Sequence, residues 1–312
     1  MSRMDRREFL GASMAAALAP AEPSRVVIAR DPSLHGPDEA RVEKLLDRAV
    51  QSFFVRDNPV EAWKLIARPG ETVGLKVNCL AGRGASTRTV LVEAVIERLQ
   101  QAGIRGPDIV IWDRLNSDLE SAGFPVGVRR DKVRFIGNDS AGYEDDLAMF
   151  GSAGSLLSLT LTRQCHAVIN LPVLKDHGIV GVTMALKNMF GAIHNPNKYH
   201  LNAGDPYVAD VYALPAIRQK VRLTICDALT AQYEGGPSYM PQWSWPFNGL
   251  LVASDPVALD TVGWQIIEAK RKEMGFKSLQ AGKRAPNYIA TAADAQHRLG
   301  TNDVRFIRRV EI

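Results

Sequence analysis

Cysteine is scarce: Cys79, Cys165 and Cys226 are the three in 312 residues. They are too few and too widely spaced for a disulfide framework, a CxxC zinc site or a self-contained iron–sulfur cluster, so no intrinsic iron–sulfur motif is present. Charge of one sign is also in short supply, with 38 Lys and Arg against 34 Asp and Glu for a net +4. No basic block or aromatic stacking motif of the nucleic-acid-binding kind occurs, so nucleic acid is not an expected partner. No apolar run reaches the ~20 residues of a membrane-spanning helix, so no transmembrane segment is expected in the mature chain. Low-complexity tracts and repeats of solenoid period are lacking too. What is there is 46% hydrophobic and 23% charged, ordinary globular values that exclude wholesale disorder. The length suits one large α/β domain or two modest ones.

Residues 1–21 read as a leader. Asp5-Arg6-Arg7-Glu8-Phe9-Leu10 is followed by a weakly apolar run of small residues and then Pro20-Ala21. The pattern resembles a twin-arginine export signal, with a paired-arginine n-region, a run too short to span a bilayer and alanines offering a cleavage site. That resemblance implies the twin-arginine translocation machinery as a partner, a periplasmic or otherwise exported location, and passage of the already folded chain, often with a cofactor loaded.

Beyond the leader, apolar runs of strand length alternate with helical stretches. Strands are expected at 25–29, 72–78, 108–112, 132–136, 167–171, 222–226, 249–253 and 304–307, and helices at 38–54, 88–102, 181–193, 208–218 and 256–274. The order predicts an α/β fold of largely parallel sheets with flanking helices. The Gly/Ser-rich stretch 151–158 suggests a boundary between an N-terminal α/β lobe, 22–150, and a C-terminal α/β lobe, 151–312, arranged as two lobes around a cleft. The Trp- and Pro-rich segment 233–247 suits a lid or a subunit contact, and its composition does not decide between them.

Ligands of open α/β sheets sit beyond the carboxyl ends of the strands, so polar residues there are the candidates. Lys76 and Asn78 close one strand and precede a glycine-rich loop with Arg83 and Arg88, a combination suited to a carboxylate or phosphate. The densest constellation follows the strand 167–171: Lys175, Asp176 and His177, then Thr183, Lys187 and Asn188, then His194 and His200. On the expected helix 181–193, Thr183 and Lys187 stand four apart and share a face, while Val182, Leu186, Met189 and Ile193 form the apolar stripe. Asp227 ends a further strand, where it suits a metal, a cleft lysine or a turn cap. Asp255-Pro256 reads most simply as a helix cap.

These residues carry a resemblance. Leu75-Lys76-Val77-Asn78, the run from Ala167 to Ile193 with Leu174-Lys175-x-His177 and Lys187-Asn188-x-x-Gly191, Cys226-Asp227 with its Gly-Gly-Pro, and Ala253 to Asp260 are similar to the domain-of-unknown-function family 362 over roughly residues 70–265. Members often add a ferredoxin-like segment with two cysteine quartets. Its absence here implies the core domain alone, and the family supplies no reaction. A second likeness is to lactate racemases of the nickel-pincer type, in which a histidine, a lysine tethering the cofactor and a further histidine occur in order, as His177, Lys187 and His200 do here; the second interval is shorter in this chain. The strand-end clustering of basic and histidine side chains, together with the export signal, suggests an enzyme acting on a small anionic substrate with a divalent metal or organometallic cofactor in the cleft, by proton-transfer, isomerase or redox chemistry. In that reading Lys76, Asn78, Arg83, Thr183 and Asn188 hold the substrate, His177, Lys187 and Lys175 are catalytic, with His177 exchanging a proton, and His200, Asp227 and His194 ligate a metal. The rival is a non-catalytic periplasmic binding or cofactor-maturation protein using the same cleft.

Overall fold

The computed structural model describes residues 23–34, 36 and 38–312. The leader signature at 1–21 lies outside the described residues. In chain order the strands are β1 (Ser24–Arg30), β2 (Val73–Lys76), β3 (Ile109–Asp113), β4 (Gly127–Val128), β5 (Arg134–Gly137), β6 (Tyr143–Phe150) and β7 (Ala153–Ser158). They continue with β8 (Ala167–Asn170), β9 (Val173–His177), β10 (Gly181–Thr183), β11 (Val221–Gln232), β12 (Ser244–Trp245), β13 (Gly249–Ala253) and β14 (Ile307–Glu311). The main sheet has the order β14-β1-β13-β11-β8-β2-β3-β5-β4, with β9, β10 and β12 attached off the β11 side. Along this path only β13 and β4 run against the rest. The class is therefore α/β with a largely parallel sheet, as the alternating pattern predicts.

Six helices matter here: α1 (Glu39–Phe54), α2 (Thr89–Gln101), α3 (Ala185–Asn188), α4 (Tyr207–Ala213), α5 (Pro215–Arg218) and α6 (Pro256–Glu273). Both sheet faces are covered, and side-chain alternation along the strands supplies two cores. Val27 and Ala29 of β1 join Leu75, Ile111 and Ile169 beneath α1 and α2, while Val26 and Ile28 join Trp112, Val168 and Leu251 beneath α6. At the start of α6 the Asp255 carboxylate accepts from the N–H groups of Val257 and Ala258, both at 2.9 Å, with proline at the first helical position. That is the cap the sequence suggests.

Four expectations need correction. Residues 22–150 and 151–312 do not close as separate lobes: β1, β2, β3 and β5 share one sheet with β8, β11 and β13. The boundary itself falls in the tight turn between β6 and β7, which pair as a hairpin, so the small residues at 151–152 serve a turn and not a linker. The helix expected over 181–193 is also absent as such. Gly181 has φ +86°, Val182 and Thr183 pair with β9, and only the single turn of α3 and a 3-10 turn at Met189–Ala192 follow. The stripe Val182, Leu186, Met189 and Ile193 is buried as its apolar character requires, but a tight hairpin followed by one turn buries it just as well. At 208–218 the helix breaks at Leu214, pushed out of the helical region by the following proline into α4 and α5. The expected strand 304–307 is a 3-10 turn at Val304–Phe306 that leads into β14.

Candidate active site

The strand order reverses direction at β2 and β8: from β2 the chain moves outward to β3 and β5, then returns to β8 on the other side of β2. Such a switch point opens a crevice above the carboxyl ends of the strands, where their crossovers diverge. A cavity of 370 Å³ lies there. Lys76 and Asp113, the last residues of β2 and β3, and Asn78 and Arg114 just beyond them form one wall. The β9–β10 hairpin forms another. Its two-residue period turns Lys175 and His177 into the cavity, cross-strand from Thr183 and Gly181, and turns Asp176 away toward Arg284. Lys187 and Asn188 from α3, Phe190 and Gly191, and His200 from the following loop complete it, with Pro237 of the 233–247 segment at the edge. That segment folds back along β11, pairing through β12.

The lysines differ in their tethers. Lys76 Nζ donates to Asp113 Oδ1 at 2.7 Å and to the Val77 carbonyl at 2.6 Å. Asp113 is held in turn by the Cys79 N–H on its other oxygen, at 2.8 Å. The approach is so close that a Cβ on Gly191 would lie 2.6 Å from Lys76 Cε and 2.8 Å from Asp113 Oδ1. Lys175, wholly buried, donates to the Ala85 and Pro237 carbonyls at 2.7 and 3.3 Å, and burial pulls its pKa down to about 8. Lys187 is 9% exposed and has neither hydrogen-bond nor ion-pair partner among the described residues. Its Nζ rests 4.0 Å from the centre of the Phe190 ring. Burial, reinforced by Lys175, Lys76 and Arg114, lowers its pKa to about 7.

The two histidines face each other, ring centres 5.4 Å apart and planes 30° from parallel. His177 Nδ1 accepts from the Ile179 and Val180 N–H groups at 3.2 and 3.3 Å, so its proton sits on Nε2. His200 Nδ1 lies 3.1 Å from the Asn197 carbonyl, which can only accept, so that ring carries its proton on Nδ1 and leaves the Nε2 lone pair free. Burial and then the Lys187 charge press the His177 pKa down to about 2, and the same two causes lower that of His200. His177 is therefore a neutral hydrogen-bond donor near pH 7, not the proton exchanger its position suggests; the cavity groups brought toward neutrality are Lys187, at about 7, and Lys175, at about 8. Two buried polar atoms on the walls, Asn78 Oδ1 and Thr183 Oγ1, have no partner. A chain of amides backs the wall: Asn78 Nδ2 to Asn188 Oδ1 at 3.1 Å, and Asn188 Nδ2 to Asn170 Oδ1 at 2.7 Å. The short turn of α3 is anchored from behind by Asp260, buried, which accepts from the Ala185 and Leu186 N–H groups at 2.7 and 3.1 Å.

Of the residues singled out in the sequence, Lys76, Asn78, Lys175, His177, Thr183, Lys187, Asn188 and His200 converge on this cavity. Arg83, Asp227 and His194 do not line it. Arg83 is exposed and packs against Gly123. Asp227 is buried with its oxygens spent on the Arg88 N–H at 2.8 Å, just before α2, and on the Leu229 N–H at 3.0 Å. His194 is exposed, edge-on to Tyr143. The trio His200, Asp227 and His194 thus does not form a metal site, and among the described residues no three His, Cys, Asp or Glu side chains converge in a ligating arrangement. Asp113, Arg114, Asp118 and Phe190 were not singled out in the sequence. The first two sit at the end of β3 beside β2, a position readable from the strand-end rule once the strand order is known.

The sequence profile described as "domain of unknown function (DUF362)" matches residues 73–265, more than half of the chain. The chain belongs to the DUF362 family. The match spans every cavity residue named above, from Lys76 to Pro237. This DUF362 chain is 28% identical over 249 residues to a thylakoid-associated protein of Synechocystis sp., covering 75% of the present chain and 70% of that protein. A crystal structure of a Thermotoga maritima protein aligns at 11% identity over 77% of this chain and 60% of its own, with a TM-score of 0.43. A loganic acid methyltransferase aligns at 10% identity over 80% of this chain and 64% of its own, with a TM-score of 0.24. Both scores are too low for a structural relationship to be drawn. No helix among the described residues is long and apolar enough to cross a membrane.

Proposed function

We propose that this DUF362 protein is an exported enzyme that binds a small anionic molecule above the ends of β2, β3 and β8 and acts on it with the Lys187 amine. The observation that carries the reading is Lys187 itself: a lysine nine-tenths buried, aimed into a cavity and without a partner, while its neighbours Lys76 and Lys175 are tethered. A structural lysine at this depth is normally paired, because an unpaired buried charge is costly. Four cationic side chains, Lys76, Arg114, Lys175 and Lys187, face two carboxylates, Asp113 and Asp118, around the cavity, an excess that suits one or two negative charges on the ligand. The orphan Asn78 Oδ1 and Thr183 Oγ1 suit its hydroxyl or amide groups.

Export rests on the twin-arginine-type leader at residues 1–21, and the thylakoid association of the Synechocystis relative is in keeping with it. His177, Lys187 and His200, the residues of the nickel-pincer likeness, share the cavity. The metal ligand set read from the sequence does not fit, because Asp227 and His194 face elsewhere, and no step is routed through a metal here.

Calorimetric titration with lactate, a small carboxylate, tests the anion reading. Affinity should rise as pH falls from 8 to 6, because Lys187 and, over the upper part of that range, Lys175 gain their charge, and the rise should shrink in Lys187→Met to the part that Lys175 supplies. A pH-independent affinity in the wild type, or no binding, overturns the assignment. His177→Ala and Lys187→Ala then separate enzyme from binder. A binding or maturation protein loses affinity with each contact removed, whereas an enzyme retains binding and loses turnover.

A further inference from the structure

We propose that Lys187 forms an imine with the carbonyl carbon of a small 2-oxo acid held in this cavity. The inference rests on the preceding reading of the cavity as an anion site and adds the substrate class and the covalent step. An amine adds to a carbonyl only through its lone pair, which a lysine held in an ion pair does not have. Lys76 is committed to Asp113. Lys175 is committed to two backbone carbonyls. Lys187 is the cavity lysine left free among the described residues, buried and with the like charges of Lys175, Lys76 and Arg114 around it, the two conditions that favour its neutral form.

The remaining groups match the other parts of a 2-oxo acid. Lys76 and Lys175 each have one ammonium N–H beyond the two already donated, and with Arg114 they are the donors for the carboxylate. The His177 Nε2–H is a fixed donor for the oxygen of the reacting carbonyl, and the His200 Nε2 lone pair beside it is a fixed acceptor. The unlike tautomers of two adjacent rings are what an addition–dehydration needs. The amine lone pair forms the C–N bond while the carbonyl π pair moves to oxygen, next to the His177 donor. The two protons on the amine are transferred, by way of His200, to that oxygen, and the C–O bond breaks to release one water. The products are the imine and water, and no oxidant, reductant or metal is consumed. Phe190, Leu80, Ile179 and Pro237 leave apolar room beyond the reacting carbon, so the cavity accepts an aromatic or branched 2-oxo acid as well as the smallest ones.

The experiment is reductive trapping. The full-length protein is incubated with sodium cyanoborohydride and either pyruvate or phenylpyruvate, followed by intact mass measurement and peptide mapping. One adduct per chain, on Lys187, is expected. The initial trapping rate should rise about tenfold between pH 6 and 8 as the neutral amine fraction grows, once corrected for the reagent's own pH dependence on a free-lysine control. Lys187→Arg, which keeps the cation and cannot form an imine, should lose the adduct completely while its circular dichroism spectrum stays that of the wild type. Adduct confined to exposed lysines, or unchanged in Lys187→Arg, overturns the inference. Lactate, which has the carboxylate but no carbonyl, separates the two levels: binding of lactate and both oxo acids without a Lys187 adduct removes the imine and leaves the anion site, whereas absence of binding by all three removes both.

Discussion

Lys187→Met replaces a buried amine by an apolar group of similar length, and the structure predicts that the protein becomes more stable. In the unfolded chain the lysine binds its proton up to about pH 10.4, whereas in the fold burial lowers that limit to about 7. Between those values the unfolded state holds more protons, so the native state is disfavoured there and its stability rises with pH. At about 1.36 kcal/mol per pH unit, the cost at pH 7 is of order 4 kcal/mol, fading to nothing near pH 10.4. Methionine at the same place carries no such cost, and its thioether keeps contact with Phe190. Denaturant unfolding of both proteins between pH 6 and 10.5 should therefore show the variant ahead by up to about 4 kcal/mol at and below pH 7, with the curves converging on the alkaline side. A structural lysine behaves in the opposite way, because removing one partner of a buried pair costs about 3–5 kcal/mol. A destabilised variant, or a difference that does not change with pH, would refute the description of Lys187 as an unpaired amine whose pKa burial lowers to about 7.

The same measurement on Asp113→Asn should give that opposite sign, a loss of about 3–5 kcal/mol, because Lys76 is left buried without its carboxylate; a loss below 1 kcal/mol would mean the pair is solvated. Gly191→Ala should force Lys76 and Asp113 apart, lowering stability by about 1–3 kcal/mol and weakening carboxylate binding in the same variant, so that an unchanged titration speaks against Lys76 as part of the anion wall. Asp260→Ala removes the acceptor for the first N–H groups of α3 and should cost about 1–2 kcal/mol while loosening Lys187, seen as faster amide exchange at Ala185 and Leu186. Asp260 in its native state titrates at about 8, well above an unfolded aspartate, so its contribution to stability is present below pH ~4 and is lost as pH rises toward 8. Asp260→Asn should flatten that part of the profile.

Much of the site was legible because strand ends are legible. The runs that close on Lys76 and Asn170 have the length and apolar content of buried parallel strands, and polar residues placed just after them have nowhere to go but the crevice. Asp227 follows the same rule in sequence and fails it in space, because β11 runs on past it and the carboxylate meets the N–H groups of Arg88 and Leu229. Arg83 and His194 fail for a plainer reason: only some residues of each loop reach the cavity, Leu80 in the first and Pro196, Asn197 and His200 in the second, and composition does not say which. Strand β10 falls inside the helix expected over 181–193 because Val182, Leu186, Met189 and Ile193 fit a helical period as well as they fit a short strand followed by one turn.

The amino-acid sequence by itself determined the α/β class, the family and the set of chemistries on offer, since these depend on local periodicity and on which side chains are present. The tertiary structure alone decided that one sheet draws strands from both halves of the chain, which replaces two lobes with a crevice between β2 and β8. It also decided which lysine is free. Lys76, Lys175 and Lys187 are chemically identical in the chain, and what separates them is a carboxylate 37 residues away for the first, backbone carbonyls 90 and 62 residues away for the second, and a phenyl ring with no acceptor for the third. Protonation follows desolvation and neighbouring charge, and both are properties of the folded arrangement.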